Sequence, residues 1–235
     1  MMTQALHEFI NSDLLNERLA TEVAALLEAA IAARGFANLA VSGGKTPRNL
    51  YRILAKKNLA WSQVNLLLVD ERWVANDSAD SNEHMLRECL LQDAARAAHY
   101  ISIRPGQELS AASLRDIENT LMNAQALPFD VLLLGMGDDG HIASLFPCAD
   151  EIYPAMAADN PALLMKISPQ TVPYDRISFT LKVLLQSRKT FLLLLGAGKR
   201  QILKQALAGD NIMQMPVRAL LGARDLDLDI YWAPR

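Results

Sequence analysis

Cysteine is scarce in this 235-residue sequence, and its two copies, Cys89 and Cys148, lack the spacing of a metal site. A disulfide framework is therefore not expected, and a reducing compartment fits better. The first segment, MMTQALHEFINSD, lacks a basic start followed by an apolar stretch, so it does not predict a signal peptide. The longest apolar runs, such as FLLLLGAG, are too short to span a bilayer. We therefore expect a cytoplasmic protein with no membrane association.

A block of basic residues is also missing. Lys and Arg total 23 against 26 Asp and Glu, so the sequence does not indicate a nucleic-acid partner. Hydrophobic residues make up 51% of the chain, which is enough for a large core, and the charged fraction of 21% argues against disorder. We predict one α/β domain over residues 1–235, with a possible irregular insertion at about 146–162.

Apolar runs alternate with segments of helical period. We predict helices over residues 13–33, 81–92 and 110–126 and in KRQILKQALAG, the last ending at Gly209. We predict strands in NLAVSGG, VNLLLVDERWV, HYISI, FDVLLLGMG, ALLMKIS, RISFTL, KTFLLLLGAG and LDLDIYW. Continuous apolar strands indicate burial on both faces. The predicted fold class is α/β: a doubly wound, mostly parallel sheet flanked by helices on both faces.

Four of the predicted strands end in unusual polar segments. They are SGGKTP, DERW, GMGDDGH and GAGKR. Ligands of a doubly wound sheet bind beyond the carboxyl ends of its strands. We therefore expect the four segments to meet at one site.

The segment SGGKTP has the composition of a phosphate cradle. Glycines after a strand let the backbone approach a ligand, and the amides at a helix start favour an anion. Ser42, Gly43, Gly44, Lys45 and Thr46 are the candidate phosphate-binding residues, and Thr46 is also predicted to cap the next helix. The segment is not a P-loop, because position 39 is leucine rather than glycine. The alternative is an ordinary strand-to-helix turn.

His141 is the candidate general base. A neutral imidazole can take a proton from water near pH 7, and a carboxylate such as that of Asp139 can orient it. The alternative is a histidine that caps a turn. Asp138, Asp139 and His141 are too few and too close in sequence to imply a metal, so no metal is expected.

Two other kinds of catalytic site are disfavoured. GMGDDG formally matches G-x-G-x-x-G, but Pro147 follows too soon for the long helix of a dinucleotide fold. We therefore expect no nicotinamide or flavin cofactor. The motif also has no central serine, so the G-x-S-x-G nucleophile elbow is absent.

Basic residues at the other strand ends are candidate partners of an anion. Arg72 is suited to binding a phosphate or a developing oxyanion, and Arg176 and Lys199 are further candidates. The assignment of each residue depends on the presence of the others, since a single basic residue is usually just solvated. For Glu71, a structural ion pair is the simplest interpretation.

The segments SGGKTPRNLY, VDERWV followed by DSNEHM, GMGDDGHIASLFP, RISFTL and GAGKR occur in this order across residues 41–200. Together they closely resemble the 6-phosphogluconolactonase family. The resemblance implies hydrolysis of 6-phospho-D-glucono-1,5-lactone in the pentose phosphate pathway, without a cofactor, and the fold shared with glucosamine-6-phosphate deaminases. It leaves the oligomeric state open.

The resemblance also carries roles to individual residues. His141 matches the general base and Asp139 the aspartate beside it. Arg72 matches an arginine that lines the active site. The segment from Ser42 to Thr46 matches the phosphate-side loop. The remaining matches are substrate-side positions, at Asp70, Arg176 and Lys199.

Three rival functions are weighed against this interpretation. A deaminase would carry F-N-E-P after the histidine and D-E-Y in place of Asp70, Glu71 and Arg72, whereas this chain has S-L-F-P with Phe146 at the glutamate position. A non-catalytic phosphosugar sensor would bind without turnover. A dinucleotide-dependent enzyme would show a nucleotide-linked absorbance change.

Overall fold

Seven strands form one fully parallel sheet. The structure, a computed structural model, describes residues 5–104 and 108–234. In chain order the strands of this sheet are β1 (Ala5–Glu8), β2 (Ala37–Val41), β3 (Val64–Leu68), β5 (His99–Tyr100), β6 (Val131–Leu134), β9 (Lys189–Leu195) and β10 (Leu228–Ala233). Their spatial order is β1-β10-β9-β6-β2-β3-β5. A second sheet holds β4 (Asp70–Arg72), β8 (Arg176–Phe179) and β7 (Leu164–Ile167), all antiparallel.

Eight α-helices connect the described strands. They are α1 (Ser12–Arg34), α2 (Arg48–Leu54), α3 (Asn82–Cys89), α4 (Ala111–Asn123), α5 (Ile152–Met156), α6 (Leu181–Leu185), α7 (Ala197–Leu207) and α8 (Val217–Leu221). Short 3₁₀ helices cover Trp61–Gln63 and Asp93–Ala97. In α1, the Asn11 side chain accepts a hydrogen bond from the amide of Leu14, and Gly35 ends the helix with φ of 85°. This confirms the long first helix predicted over 13–33.

The main sheet is covered on both faces. Every residue of β2, β6 and β10 is buried, and successive side chains of a strand point to opposite faces. Helix α1 contacts β2 and β10, and α7 contacts β9. The predicted doubly wound, mostly parallel sheet with flanking helices is therefore confirmed.

The single strand predicted over VNLLLVDERWV is wrong. The chain leaves the main sheet after Leu68, and Asp70–Arg72 pairs antiparallel with Arg176–Phe179 instead. Val69 joins the two sheets, because its amide donates to Val41 and its carbonyl accepts from Phe179, at 3.0 and 3.1 Å. The strands predicted in ALLMKIS and RISFTL exist, but they belong to this antiparallel sheet.

Smaller predictions at element boundaries also need correction. Thr46 does not cap α2, because Pro47 occupies the cap position and no side chain bonds the helix start. Helix α7 ends at Leu207, and its C-cap residue is Ala208 rather than Gly209. Residues 146–162 contain the short helix α5 between irregular segments. In the described parts of the chain, no helix has the length and apolar character needed to cross a membrane.

Candidate active site

One cavity of about 210 Å³ collects residues from all four polar segments. Of the predicted site residues, those lining it are Ser42, Gly43, Gly44, Thr46, Asp70, Arg72, His141, Arg176 and Lys199. Lys45 does not line the cavity, and its side chain is exposed. Asp139 also lies outside the lining, behind His141. The expected meeting of the four segments at one edge of the sheet is therefore found.

The loop after β2 is held firmly at its first residue. The amide of Ser42 donates to Leu133 at 3.0 Å, and the buried Tyr51 hydroxyl donates to the carbonyl of Ser42 at 2.6 Å. A Cβ on Gly43 would lie 1.9 Å from Oδ1 of Asn82, so any side chain there would displace the amide of Asn82. The loop and the start of α3 therefore pack directly against each other.

His141 is oriented by Asp139. The distance between Nδ1 of His141 and Oδ1 of Asp139 is 2.6 Å, and the same carboxylate oxygen accepts from the His141 amide at 3.1 Å. A proton on Nδ1 satisfies this hydrogen bond and leaves Nε2 with a free lone pair. The geometry therefore favours the tautomer that a general base requires.

The charge balance of this pair follows from the same contact. Burial alone would raise the pKa of Asp139, but hydrogen bonds and the charge of His141 outweigh it and lower the pKa. The carboxylate therefore stays ionised and stabilises a protonated imidazole. Gly137 makes room for the pair, because a Cβ there would lie 2.1 Å from Nδ1 of His141.

Two arginines lie side by side on neighbouring strands. Arg72 of β4 is directly opposite Arg176 of β8 in the antiparallel register, and like charges in that position repel each other. Within residues 5–104 and 108–234, neither guanidinium has an ion pair within 4.0 Å. The Nε atoms of both are buried without a hydrogen-bond partner.

Arg176 carries the larger desolvation. Only 7% of the residue is exposed, and burial lowers the pKa of its guanidinium, although the nearby Asp70 acts in the opposite direction. Arg72 is better satisfied, since its Nη1 donates to the carbonyl of Asp80 at 2.6 Å. A buried cation without a counter-ion is costly unless an anion joins it. The pair is therefore built to receive an anionic ligand.

Asp70 lines the cavity beside these arginines. Its Oδ2 accepts a hydrogen bond from the buried Ser144 hydroxyl at 2.5 Å. Its carbonyl accepts from Nδ2 of Asn82 at 3.0 Å. The carboxylate is thus fixed in place and offers the cavity an acceptor for a ligand hydroxyl.

The interpretation of Glu71 as half of an ion pair is wrong. Its buried carboxylate accepts from the hydroxyl of Ser81 and from the amides of Asn82 and Glu83, at 3.0, 2.8 and 2.7 Å. The amide of Arg72 also donates to it at 2.6 Å, so its partners are this amide and the first groups of α3 rather than a cation. Burial raises the pKa of this carboxyl despite the hydrogen bonds. Glu71 fixes α3 against β4, which places Asn82 in the cavity wall.

Lys199 lies in the first turn of α7 and already has partners. Its Nζ donates to the carbonyl of Met136 at 2.7 Å and to Oδ1 of Asp138 at 2.6 Å. Asp138 is almost fully exposed, so this ion pair is readily exchanged for a contact with a ligand. Lys199 can thus bind a ligand in the cavity, but unlike Arg176 it already has an ion pair and hydrogen bonds within the described part of the protein.

Sequence reasoning missed Asn82 as a site residue. It follows a polar loop and opens a helix, so its type and position predict only a helix start. Its Oδ1 is buried without a hydrogen-bond partner among the described residues, and its side chain lines the cavity between Gly43 and Asp70. Only the packing of α3 against the Ser42 loop reveals this placement.

Comparison with known proteins defines the class of this chain. Residues 10–232 match the family model described as glucosamine-6-phosphate isomerases/6-phosphogluconolactonase, and the chain belongs to that family. A 6-phosphogluconolactonase of Rhizobium meliloti is 38% identical over 99% of this chain and 100% of its own length. Another from Pseudomonas putida is 38% identical over 97% of this chain and 92% of its own.

A solved structure agrees with these relatives. A crystal structure of a 6-phosphogluconolactonase from Shewanella baltica superposes with a TM-score of 0.93 and is 37% identical in sequence. The match covers 98% of both chains. The resemblance inferred from the ordered motifs is therefore confirmed.

Proposed function

We propose that this protein hydrolyses 6-phospho-D-glucono-1,5-lactone to 6-phosphogluconate in the pentose phosphate pathway. The names of the relatives support this activity. The structural observation that best supports this activity is the set of side chains in one wall of the cavity. That wall holds an imidazole whose Nδ1 is hydrogen-bonded to a carboxylate, and two arginines with no acid within 4.0 Å among the residues that the structure describes.

The phosphate dianion is assigned to the loop from Ser42 to Thr46 together with Arg176 and Lys199. Arg176 is the strongest of these candidates, because its buried guanidinium has donors to spare and no acid lies within 4.0 Å of it in the described parts of the chain. A guanidinium also matches the geometry of a phosphate with two parallel hydrogen bonds. Lys199 joins by exchanging its exposed partner Asp138 for the phosphate.

His141 is assigned as the general base. Its Nε2 takes a proton from a water molecule, whose oxygen attacks the lactone carbonyl carbon. The proton then passes from His141 to the ring oxygen as the ester bond breaks, which yields the open-chain carboxylic acid. Asp139 stabilises the imidazolium in between, and such base catalysis is worth about 10² to 10⁴ in rate.

Arg72 is assigned to the oxyanion that forms at the carbonyl. Its position opposite Arg176 sets the two cations one strand apart, so a single substrate can engage one with its phosphate and the other with its carbonyl. A donor aimed at a developing oxyanion contributes about 10² to 10³. Binding the phosphate tail also reduces the entropic cost of placing the carbonyl near His141.

The setting of this activity is part of the same proposal. We assign residues 1–235 to a single α/β domain acting in the cytoplasm on a small phosphosugar lactone, without a nucleic-acid partner. The scarcity of cysteine and the lack of a basic block support this assignment.

The decisive experiment generates the phosphorylated lactone in situ and follows acid release with and without the protein. We expect release to accelerate with wild type, and kcat to fall about 10² to 10⁴-fold in His141→Ala with affinity for 6-phosphogluconate retained. Near-normal turnover of His141→Ala would remove His141 from the mechanism. Ammonia release from glucosamine 6-phosphate would instead identify a deaminase, and binding without turnover would identify a sensor.

A further inference from the structure

The ring of Phe146 contacts both halves of the site. Its centroid lies 4.0 Å from that of His141, with the two planes tilted by 34°. The guanidinium carbon of Arg176 lies 5.0 Å from the same centroid. Phe146 is 2% exposed, and it is not part of the cavity lining. The base and the buried cation therefore share one aromatic neighbour that lies outside the cavity lining.

A tight turn creates the contact between the two rings. Ile142 and Leu145 form an isolated antiparallel bridge, with the Leu145 amide donating to Ile142 at 2.9 Å. Ala143 between them has φ of 48°, a left-handed conformation that is unfavourable for alanine. This turn folds the chain back so that the side chains on its two sides, His141 and Phe146, meet.

The contact with Arg176 has an electrostatic consequence. An aromatic face attracts a guanidinium without neutralising its charge. A carboxylate in the same place would form an ion pair with Arg176 and compete with an anionic ligand. Phe146 thus holds the cation in position and leaves its hydrogen-bond donors free.

The contact with His141 supplies a constraint that Asp139 does not. The hydrogen bond to Asp139 fixes Nδ1 but allows the imidazole to tilt about it. A ring packed against the face of the imidazole restricts that tilt and so sets the direction of Nε2. The two constraints together define both the tautomer and the plane of the base.

We propose that Phe146 is a positioning residue that keeps the imidazole of His141 and the guanidinium of Arg176 in register for one substrate. This inference rests on the proposed function, because it takes His141 as the base and Arg176 as the phosphate ligand. It adds a residue that acts through these two groups rather than on the substrate.

The kinetic test compares Phe146→Leu and Phe146→Tyr with Phe129→Leu as a matched control. Phe129 is equally buried and packs edge-on against Phe179 at 5.2 Å, away from the cavity lining. We expect Phe146→Leu to lower kcat/KM about 10-fold. Both kcat and KM should change, because His141, the base, and Arg176, which binds the phosphate, are displaced together. Phe146→Tyr, which keeps the ring, should lose less kcat/KM than Phe146→Leu, and Phe129→Leu should stay within about 2-fold.

A spectroscopic test reads the same contact without turnover. The chain has four histidines, so the imidazole protons of His141 can be resolved by NMR and assigned with His141→Ala. Stacking on Phe146 should shift them upfield in wild type, and Phe146→Leu should return them downfield. Binding of 6-phosphogluconate should weaken about 3 to 10-fold in Phe146→Leu, because the charged guanidinium of Arg176 that binds it is displaced.

The outcomes separate this inference from the proposed function. Wild type that fails to hydrolyse the lactone refutes the function, while the NMR shift and the binding of 6-phosphogluconate still test Phe146. The inference is overturned by unshifted His141 protons in wild type, by unchanged kcat/KM in Phe146→Leu, or by equal losses in Phe146→Tyr and Phe146→Leu. A loss in Phe129→Leu as large as in Phe146→Leu would also overturn it, since general packing would then suffice.

Discussion

The two ends of the parallel sheet treat buried charge in opposite ways. At the amino end, one carboxylate meets two cations, because Asp130 lies 2.5 Å from Arg34 and 3.2 Å from Arg188. Asp130 also accepts from the amide of Asn38 at 2.9 Å. At the cavity end, Arg72 and Arg176 lie opposite each other on neighbouring strands, with no acid within 4.0 Å among the described residues.

This difference distinguishes a structural charge from a functional one. Asp130 connects the end of α1 to the starts of β2, β6 and β9, and its charge is balanced by two arginines of the protein itself. The two arginines have no ion pair within 4.0 Å among the described residues, which costs stability in the protein without ligand. Changes at the amino end should therefore affect folding, and changes at the cavity end should affect ligand binding.

The largest expected effect is on substrate affinity. Arg176→Met should raise KM about 10 to 100-fold, because a hydrogen bond to a charged group contributes about 1.5–3 kcal/mol. Thermal unfolding should show an unchanged or higher Tm, since the repulsion with Arg72 is relieved. Arg188→Met is the matched control and should leave KM unchanged. A loss of stability without a change of KM in Arg176→Met would contradict the comparison.

The mirror-image change tests the amino end. Asp130→Asn should lower the free energy of unfolding by about 1–3 kcal/mol, because two arginines lose their counter-ion. Denaturant titration measures this loss, and kcat/KM at a temperature where the variant is folded should equal that of wild type. Reduced kcat/KM in the folded variant would show that the two ends are coupled.

A smaller effect separates two lysines that the sequence treats alike. Lys199→Met should raise KM about 3 to 10-fold, because its Nζ lies at the cavity and trades Asp138 for the ligand. Lys45→Met should change KM less than about 2-fold, since an exposed lysine gains little from a charge across water. Steady-state kinetics at two ionic strengths would check both, and equal effects would mean that the side chain of Lys45 also binds the phosphate.

The smallest effect concerns pH. The folded protein lowers the pKa of Asp139 below its unfolded value of about 3.9, so this carboxylate stabilises the fold above that pH. The contribution is lost as pH falls through the lowered, folded pKa. The stability difference between wild type and Asp139→Asn should therefore shrink below about pH 4. A difference that stays constant from pH 7 to 3 would argue against the ionised pair.

The general location of the site was predictable, because the carboxyl ends of parallel strands meet at one edge whatever their partners are. SGGKTP, DERW, GMGDDGH and GAGKR could thus be placed together from the sequence alone. The break at Val69 was not predictable. An apolar run has the same pattern whether it continues in one sheet or crosses to another, and the partner of Asp70–Arg72 lies about a hundred residues later in the chain.

Side-chain roles at the site were predicted unevenly for a similar reason. His141 and Asp139 are two residues apart, so their contact follows from local geometry. Asn82 and Ser144 acquire their roles only from segments that fold against them, as does Phe146 in its contact with Arg176. Lys45 shows the converse, since a basic residue inside a cradle motif lies with its side chain in solvent.

The anchoring of α3 by Glu71 has a consequence for binding thermodynamics. The carboxylate assembles the wall containing Asn82 from groups of the protein itself, before any ligand arrives. Binding then requires little ordering of the chain, whereas in a flexible protein such ordering reduces the affinity. Calorimetry of 6-phosphogluconate binding should accordingly give a small heat-capacity change, one explained by the ligand's own contacts without any coupled folding.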